Sequence, residues 1–404
     1  MFLPFAAGYC LSYAVRNVNA VIAPDLTASI GLTAASLGLL TSAYFLAFAA
    51  FQLPLGLLLD RFGPRRVESA LLLFAAFGAL LFSTGDSVVQ LVVARAFIGL
   101  GVSACLMASF KAFVMWLPSE RLPLVNGCIM AAGGLGALLA TAPVQSLLGV
   151  VDWRFIFLII AALAVVFSAA IFFVVPVHPE EQTGSAETTG TQIRGTVGIF
   201  KSAVFWRIAP LATASQATFL SIQGLWAGPW LKDVAAFSRE QVAEHLALIP
   251  ISMICGFLVM GFVSDRLARR GVRTLSVAAA GMLLFILAQL MLVTAPDLSP
   301  AVLWCAFGFS GTSGILAYAV LSQSFPKALA GRANTALNVL AFTGAFAAQW
   351  GLGVMIGLSP GEVAGYYAPE AYHRAFAVAL VLQVLGFVWL VWPRRPAKAE
   401  RQIV

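Results

Sequence analysis

Runs of about twenty uncharged, mostly apolar residues recur along nearly the whole chain, and this repeat restricts the fold more than any single motif does. A helix of about 20 residues crosses the roughly 30 Å of hydrocarbon in a bilayer. Lipid offers no hydrogen bonds to a bare backbone, so runs of this length must be helical. Apolar length, punctuated by Gly, Pro and charge, predicts twelve helices near residues 2–24, 35–59, 67–85, 88–115, 125–149, 154–176, 207–231, 243–264, 273–295, 301–325, 333–357 and 373–392. Only 10% of the 404 residues are charged, against roughly 25% in soluble domains. The first run carries Arg16 and lacks the basic-then-apolar order and small-residue cleavage site of a signal peptide, so it reads as a retained span.

The net charge of +7 is explained by where the basic residues fall. With both termini placed in the cytoplasm, the loops on that side collect seventeen of the 24 lysines and arginines, while Arg154, Lys232, Arg239 and Arg374 fall on the other side. The positive-inside rule then fixes a multi-pass protein of the inner (plasma) membrane. Arg16, Arg95 and Lys111 remain inside spans. The polar stretch HPEEQTGSAETTGTQIRG shows no helical or strand period and reads as a cytoplasmic linker. It divides the chain into a six-helix bundle at 1–176, a linker at 177–206, a second six-helix bundle at 207–392 and a tail at 393–404.

The two halves repeat. GLLLDRFGPRR, beginning at Gly56, returns as GFVSDRLARRG at Gly261, so that Asp60 matches Asp265 and Arg61 matches Arg266 after the second helix of each half. Gly56 is expected to let two helices approach closely. Gly63 is expected to make a tight turn that returns Arg65 and Arg66 toward neighbouring helix ends, where they and Asp60 form a conformational latch. This pattern resembles the signature of the major facilitator superfamily between its second and third helices, in which Gly56, Asp60, Arg61, Gly63, Arg65 and Arg66 all match. RAFIGLG resembles the family's fourth-helix motif through Arg95, Gly99 and Gly101. The resemblance implies an all-α membrane protein of twelve helices, two pseudo-symmetric bundles around a central cavity lined mainly by helices one, four, seven and ten, opening alternately to each side.

Function is therefore sought in that cavity. All 17 acidic residues are placed in loops or at helix ends, Glu68 and Asp233 among them, so no carboxylate is expected at mid-membrane. Arg16 lies near the middle of the first helix, where charge costs at least ~2.5 kcal/mol and needs a partner or water. Without a buried acid the natural partner is an anionic ligand, gripped by the planar guanidinium. Tyr13 and Asn19 stand at helical spacing from Arg16, and Gln223 and Trp226 are favoured on the seventh helix over Gln216, Phe219 and Trp230 of the same stripe. Tyr318 and Asn338 complete the expected substrate set. Arg95 is expected to be structural or coupling, Lys111 to snorkel to the interface, and Glu244 and His245 to be the groups through which a proton could couple. Gly228 and Pro229 mark a weak point for a gate.

These readings lead to a secondary transporter of a small organic anion, carboxylate in type, working by uptake or exchange as a monomer in the lipid bilayer, with a proton as the candidate coupling ion. The alternative is a proton-driven exporter of drug-like molecules, although AGGLGALLATAP in helix five lacks the Gly-Pro pattern of such exporters. No cofactor, metal or nucleic acid is expected, and no catalytic residue is named: the spans hold no Ser/His/Asp set or paired carboxylates, and no phosphate-binding loop occurs. Cys10, Cys105, Cys128, Cys255 and Cys305 read as small packing residues of the spans.

Overall fold

Every expected span is helical in the computed structural model of the protein, which describes residues 1–118, 121–176, 189–294, 298–361 and 366–392. Among the described residues, nine helical stretches are long and apolar enough to cross a membrane. Twelve spans emerge once three breaks are recognised. The run Ala34–Ser83 contains two spans separated at Gly63, whose φ of 77° and adjoining Pro64 end one helix and start the next. A left-handed conformation of this kind favours glycine, which has no Cβ to clash. The first span is divided into Phe2–Asn17 and Asn19–Ile30. The seventh comprises Ala203–Ser221, a π-helical turn Ile222–Trp226 and Ala227–Asp233. The first and seventh fall outside the apolar set.

The helix ends are set by ordinary capping chemistry. Thr33 and Ser36 form a reciprocal capping box at the start of the second span, as do Ser238 and Gln241 at the eighth. Ser87 and Asp152 cap the fourth and sixth spans with their side-chain oxygens. One expectation fails here. The linker contains a helix, Thr189–Phe200, whose Ile199 is buried, so packing against the second half orders a segment whose composition alone carries no helical period.

In lipid there is no hydrophobic drive between apolar helices, and close backbone approach over small residues takes its place. A Cβ on Gly99 would collide with the Tyr44 carbonyl oxygen, and one on Gly101 with the Ala75 amide. These two glycines seat the fourth span on the second and third. Gly136 sits against the Cys10 carbonyl and joins the fifth span to the first. In the second half, Gly256 lies against the Phe309 carbonyl and Gly308 against that of Ile249, packing spans eight and ten. Gly56 behaves otherwise: a Cβ there would meet nothing within 4 Å, and the same holds for Gly261. The expected close approach at the motif's first glycine is absent in this conformation. Of the cysteines, Cys105 is buried as expected, whereas Cys128 and Cys255 are exposed.

Gly99→Ala is therefore expected to destabilise the protein by roughly 1–3 kcal/mol, the usual cost of overpacking, and Gly56→Ala to leave it unchanged. Melting of the two variants in detergent, monitored by intrinsic tryptophan fluorescence, checks this; equal melting temperatures would refute the packing account.

Candidate functional site

A cavity of about 380 Å³ lies between the halves, within the range of small-molecule sites. Span one contributes Tyr9, Ser12, Tyr13 and Arg16; span two, Phe48 and Gln52; span four, Ser103 and Met107; span seven, Gln216 and Phe219; span ten, Thr312 and Tyr318; span eleven, Asn338 and Phe342. The four helices implied by the resemblance are present, joined by two and eleven and, through Met130 and Phe257, by five and eight. Each of those four is interrupted: span one at Val18, span four between Gly101 and Cys105, span seven by its π turn, and span ten by the 3-10 turn Thr312–Ile315. Irregular backbone at membrane depth is tolerated where it borders a cavity.

Arg16 is 7% exposed, and what exposure it has is to this cavity. Four aromatic rings surround the guanidinium: Tyr13 at 4.5 Å, Phe342 at 5.4 Å, Phe48 at 5.7 Å and Tyr44 at 5.8 Å from ring centroid to guanidinium carbon. Ring faces attract a cation but accept no full hydrogen-bond complement, and Nε of Arg16 has no partner. Among the described residues no carboxylate lines the cavity. Across from Arg16, the Tyr318 hydroxyl donates to Oδ1 of Asn338 at 2.6 Å. Arg95 is placed differently: it is buried, and its Nη1 donates to the Val15 carbonyl at 2.9 Å.

The structure thus brings together Arg16, Tyr13, Tyr318 and Asn338, and separates three other expected contacts from them. Asn19 is wholly buried with neither side-chain polar atom partnered, and lies outside the cavity lining. Gln223 is buried beside Met253, its Nε2 3.9 Å from the sulfur. The Trp226 indole donates to the Gln349 carbonyl at 3.0 Å. Gln216 and Phe219, ranked below them from sequence, are the span-seven residues that face the cavity.

Gln223 and Trp226 belong instead to a closure between the halves, at the end of the bundle opposite the linker. There Gln349 donates to Thr41 at 2.6 Å, Gly38 packs against the Gln349 carbonyl and Gly353 against that of Ala34. Gly228 packs against the Ala20 carbonyl, so the Gly228–Pro229 step is a contact of this closure. Further out, Arg239 donates to Asp25 at 2.5 Å, and the Ala34 amide donates to the Tyr367 hydroxyl at 2.7 Å. The cavity extends the other way, past Phe110 and Asn334 to Gly331. The molecule is closed at the end away from the linker.

The duplicated motif is on the linker side. Lys111 does not merely reach for the interface: its Nζ bonds Oδ1 of Asp60 at 2.6 Å and the Leu59 carbonyl at 2.7 Å. Arg65 donates from Nε to the Phe172 carbonyl at 2.7 Å, with the Phe172 ring 4.7 Å away, and Arg61 lies over Phe62 at 5.2 Å. These contacts all lie within the first half, whereas the expected latch distinguishes arrangements of the two halves. In the second copy Asp265 pairs with Arg269, one turn on, at 2.8 Å, rather than with Arg266. Glu244 is exposed, and His245 packs on Phe237 with Nδ1 2.8 Å from the Gln241 carbonyl; neither reaches the cavity.

One carboxylate departs from its expected place at a helix end, while Asp233 keeps its place at the end of span seven. Glu68 is completely enclosed within the first half, with Oε1 against Gly8 and Cys105 beside its carboxyl group. Asp233 is buried at the outer end of span seven, where it accepts from the Tyr372 hydroxyl at 2.5 Å and the Tyr367 amide at 3.2 Å. The signal for Glu68 was its position, five residues beyond Gly63 and already inside the third span.

Two bundles around a cavity closed at one end define a membrane carrier rather than an enzyme. The family model for the Major Facilitator Superfamily matches residues 5–348, and the chain belongs to that superfamily. A probable sulfoacetate transporter of Cupriavidus necator is 26% identical over 69% of this chain and 69% of its own. The hexuronate transporter of Escherichia coli is 24% identical over 96% of this chain and 93% of its own. The fold is shared with the crystal structure of a D-xylose-proton symporter, with a TM-score of 0.75 at 16% identity over 98% of this chain and 97% of that one.

The Asp25–Arg239 pair joins the two halves across the closed end and is partly exposed. Exposed pairs contribute about 0.2–1 kcal/mol, so Arg239→Gln is expected to raise the population open at this end by at most about fivefold. A cysteine introduced as Gln216→Cys in a background freed of the native cysteines, labelled from outside with an impermeant maleimide, reads that population. Labelling unchanged by Arg239→Gln would remove the pair from the closure.

Proposed function

We propose that the protein carries a small organic anion across the inner membrane by alternating access, in uptake or exchange, with Arg16 as the anion's anchor. The observation that carries this reading is a guanidinium facing a cavity in which, among the described residues, no carboxylate stands. A charge so placed has three choices: an acid, water or a ligand anion. The relatives support the third. Beside the sulfoacetate and hexuronate carriers, a cis,cis-muconate transport protein of Acinetobacter baylyi is 24% identical over 80% of this chain. Their named substrates are organic acids, which favours anion uptake over export of drug-like compounds.

In this reading Tyr13 stacks on the guanidinium and turns it toward the cavity, while Tyr318 and Asn338 meet the far end of the ligand. Both termini lie in the cytoplasm, so the closed end is periplasmic or extracellular and the cavity opens inward. Binding of the anion satisfies Arg16 and permits the cavity to close on the inner side as the outer contacts release. The protein works as a monomer, since each chain contains a whole cavity. A proton remains the candidate coupling ion, but Glu244 and His245 stand too far out to couple through the ligand.

A hydrogen bond to a charged group contributes about 1.5–3 kcal/mol, so Arg16→Ala is expected to weaken anion binding by about tenfold or more and to stop uptake. Isothermal titration of the purified protein with a panel of organic acids (glucuronate, muconate and benzoate), beside uptake in vesicles and a melting curve, checks this. A folded Arg16→Ala protein that transports at the wild-type rate would overturn the assignment.

A further inference from the structure

The relatives' names span sugar acids, a sulfonated acid and a dicarboxylate, and the walls of this cavity discriminate among such chemistries. On the reading of Arg16 as anchor, we infer that the cavity selects a singly charged acid with a flat, apolar body, of the aromatic or conjugated monocarboxylate kind, over polyhydroxylated sugar acids and over dianions.

Charge is the first constraint. Among the described residues Arg16 is the sole cationic side chain lining the cavity. Arg95 is turned away to the Val15 carbonyl, and Lys111 is held by Asp60. A second negative charge on the ligand would be enclosed without a counter-ion when the cavity shuts, and an enclosed unpaired charge is strongly disfavoured.

The second constraint is what the polar groups have left to give. A polyol needs a donor or an acceptor for every hydroxyl it surrenders from water. Three of the hydroxyls here are committed as donors, Ser103 to the Leu100 carbonyl and Thr312 to the Phe309 carbonyl, each at 2.7 Å, and Tyr318 to Asn338, which leaves a short set of lining groups, Ser12 and Gln216 among them, to serve the several hydroxyls of a sugar acid. The amide of Gln52 donates to the Ser103 carbonyl at 3.3 Å.

Third, the wall beside the anchor is aromatic. Phe48 and Phe342 stack across the junction of the two halves with ring centroids 4.1 Å apart, their planes inclined by 26°, and both flank the guanidinium. A flat ring or conjugated chain attached to a carboxylate on Arg16 meets the cavity-lining side of this stacked pair, and aromatic groups favour edge-to-face and offset contacts with planar partners. Because Phe48 comes from the first half and Phe342 from the second, the ligand body touches both halves at the point where they move.

Isothermal titration of the full-length protein in detergent with benzoate, glucuronate and phthalate at equal ionic strength tests this, repeated with Phe342→Leu and with Arg16→Gln. Benzoate is expected to bind at least about tenfold more tightly than either other acid, to lose severalfold with Phe342→Leu and to lose its binding with Arg16→Gln. If glucuronate or phthalate binds as tightly as benzoate, and that binding needs Arg16, the selectivity is overturned while the anion carrier stands. Binding of the acids that is unaltered by Arg16→Gln overturns both. Failure of benzoate to bind at all overturns the selectivity. Melting curves show whether each variant is folded.

Discussion

A guanidinium held at membrane depth among rings is the constraint on which the rest of this structure depends. Placing Arg16 there costs at least ~2.5 kcal/mol, and although ring faces attract the charge they leave its hydrogen bonding unmet, with Nε unpartnered. Nothing in the described cavity neutralises it. The cavity must therefore stay open to water or hold an anion, and a sealed empty state is the unfavourable one. Spans one, four, seven and ten each depart from a continuous α-helix, as span five does at Thr141, and irregular backbone at membrane depth is tolerated where it is buried in protein or borders a wet cavity.

What holds each half rigid differs from what holds the halves together. Within a half, glycines bring backbone onto backbone, as at Gly99 with Tyr44, Gly136 with Cys10 and Gly256 with Phe309. Across the closed end the contacts combine glycine approach with polar ties, Gln349 to Thr41 and Arg239 to Asp25. Exposed ion pairs are weak, and hydrogen bonds that water can replace have small net value. The closure is thus more easily opened than either bundle is deformed. The motif on the linker side fits this division: Asp60 with Lys111, and Arg65 with the end of span six, fasten elements of a single half.

The sequence made the membrane fold legible because length and apolarity are sufficient for it, and it made Arg16 legible because a lone charge in an apolar run has few explanations. Helical phase was where it misled. Gln216, Phe219, Gln223 and Trp226 share a stripe on a continuous α-helix, but the π turn at Ile222–Trp226 accommodates an extra residue per turn and rotates the remainder of the span by roughly 100°. The first two residues face the cavity and the last two face the closure. Glu68 was missed for a related reason: the turn at Gly63 is so tight that the third span starts sooner than composition implies, and a residue read as a helix end is already enclosed.

Arg95 and Arg16 are best understood as a pair with opposite duties. Both are buried arginines of the first half, yet Arg95 directs its charge to the carbonyl of Val15, the residue immediately before Arg16, and lies 5.3 Å from the Tyr44 ring that also faces Arg16. The motif arginine therefore grips span one next to its break at Val18 and sets the height and rotation at which the cavity arginine is presented. Spans one and four, which would otherwise meet only through apolar contacts in a medium that gives such contacts no directional preference, are registered by one charge-assisted hydrogen bond. The position of Arg16 is fixed by a neighbour outside the cavity lining, so the first half can move as a unit without losing the geometry of its side of the cavity.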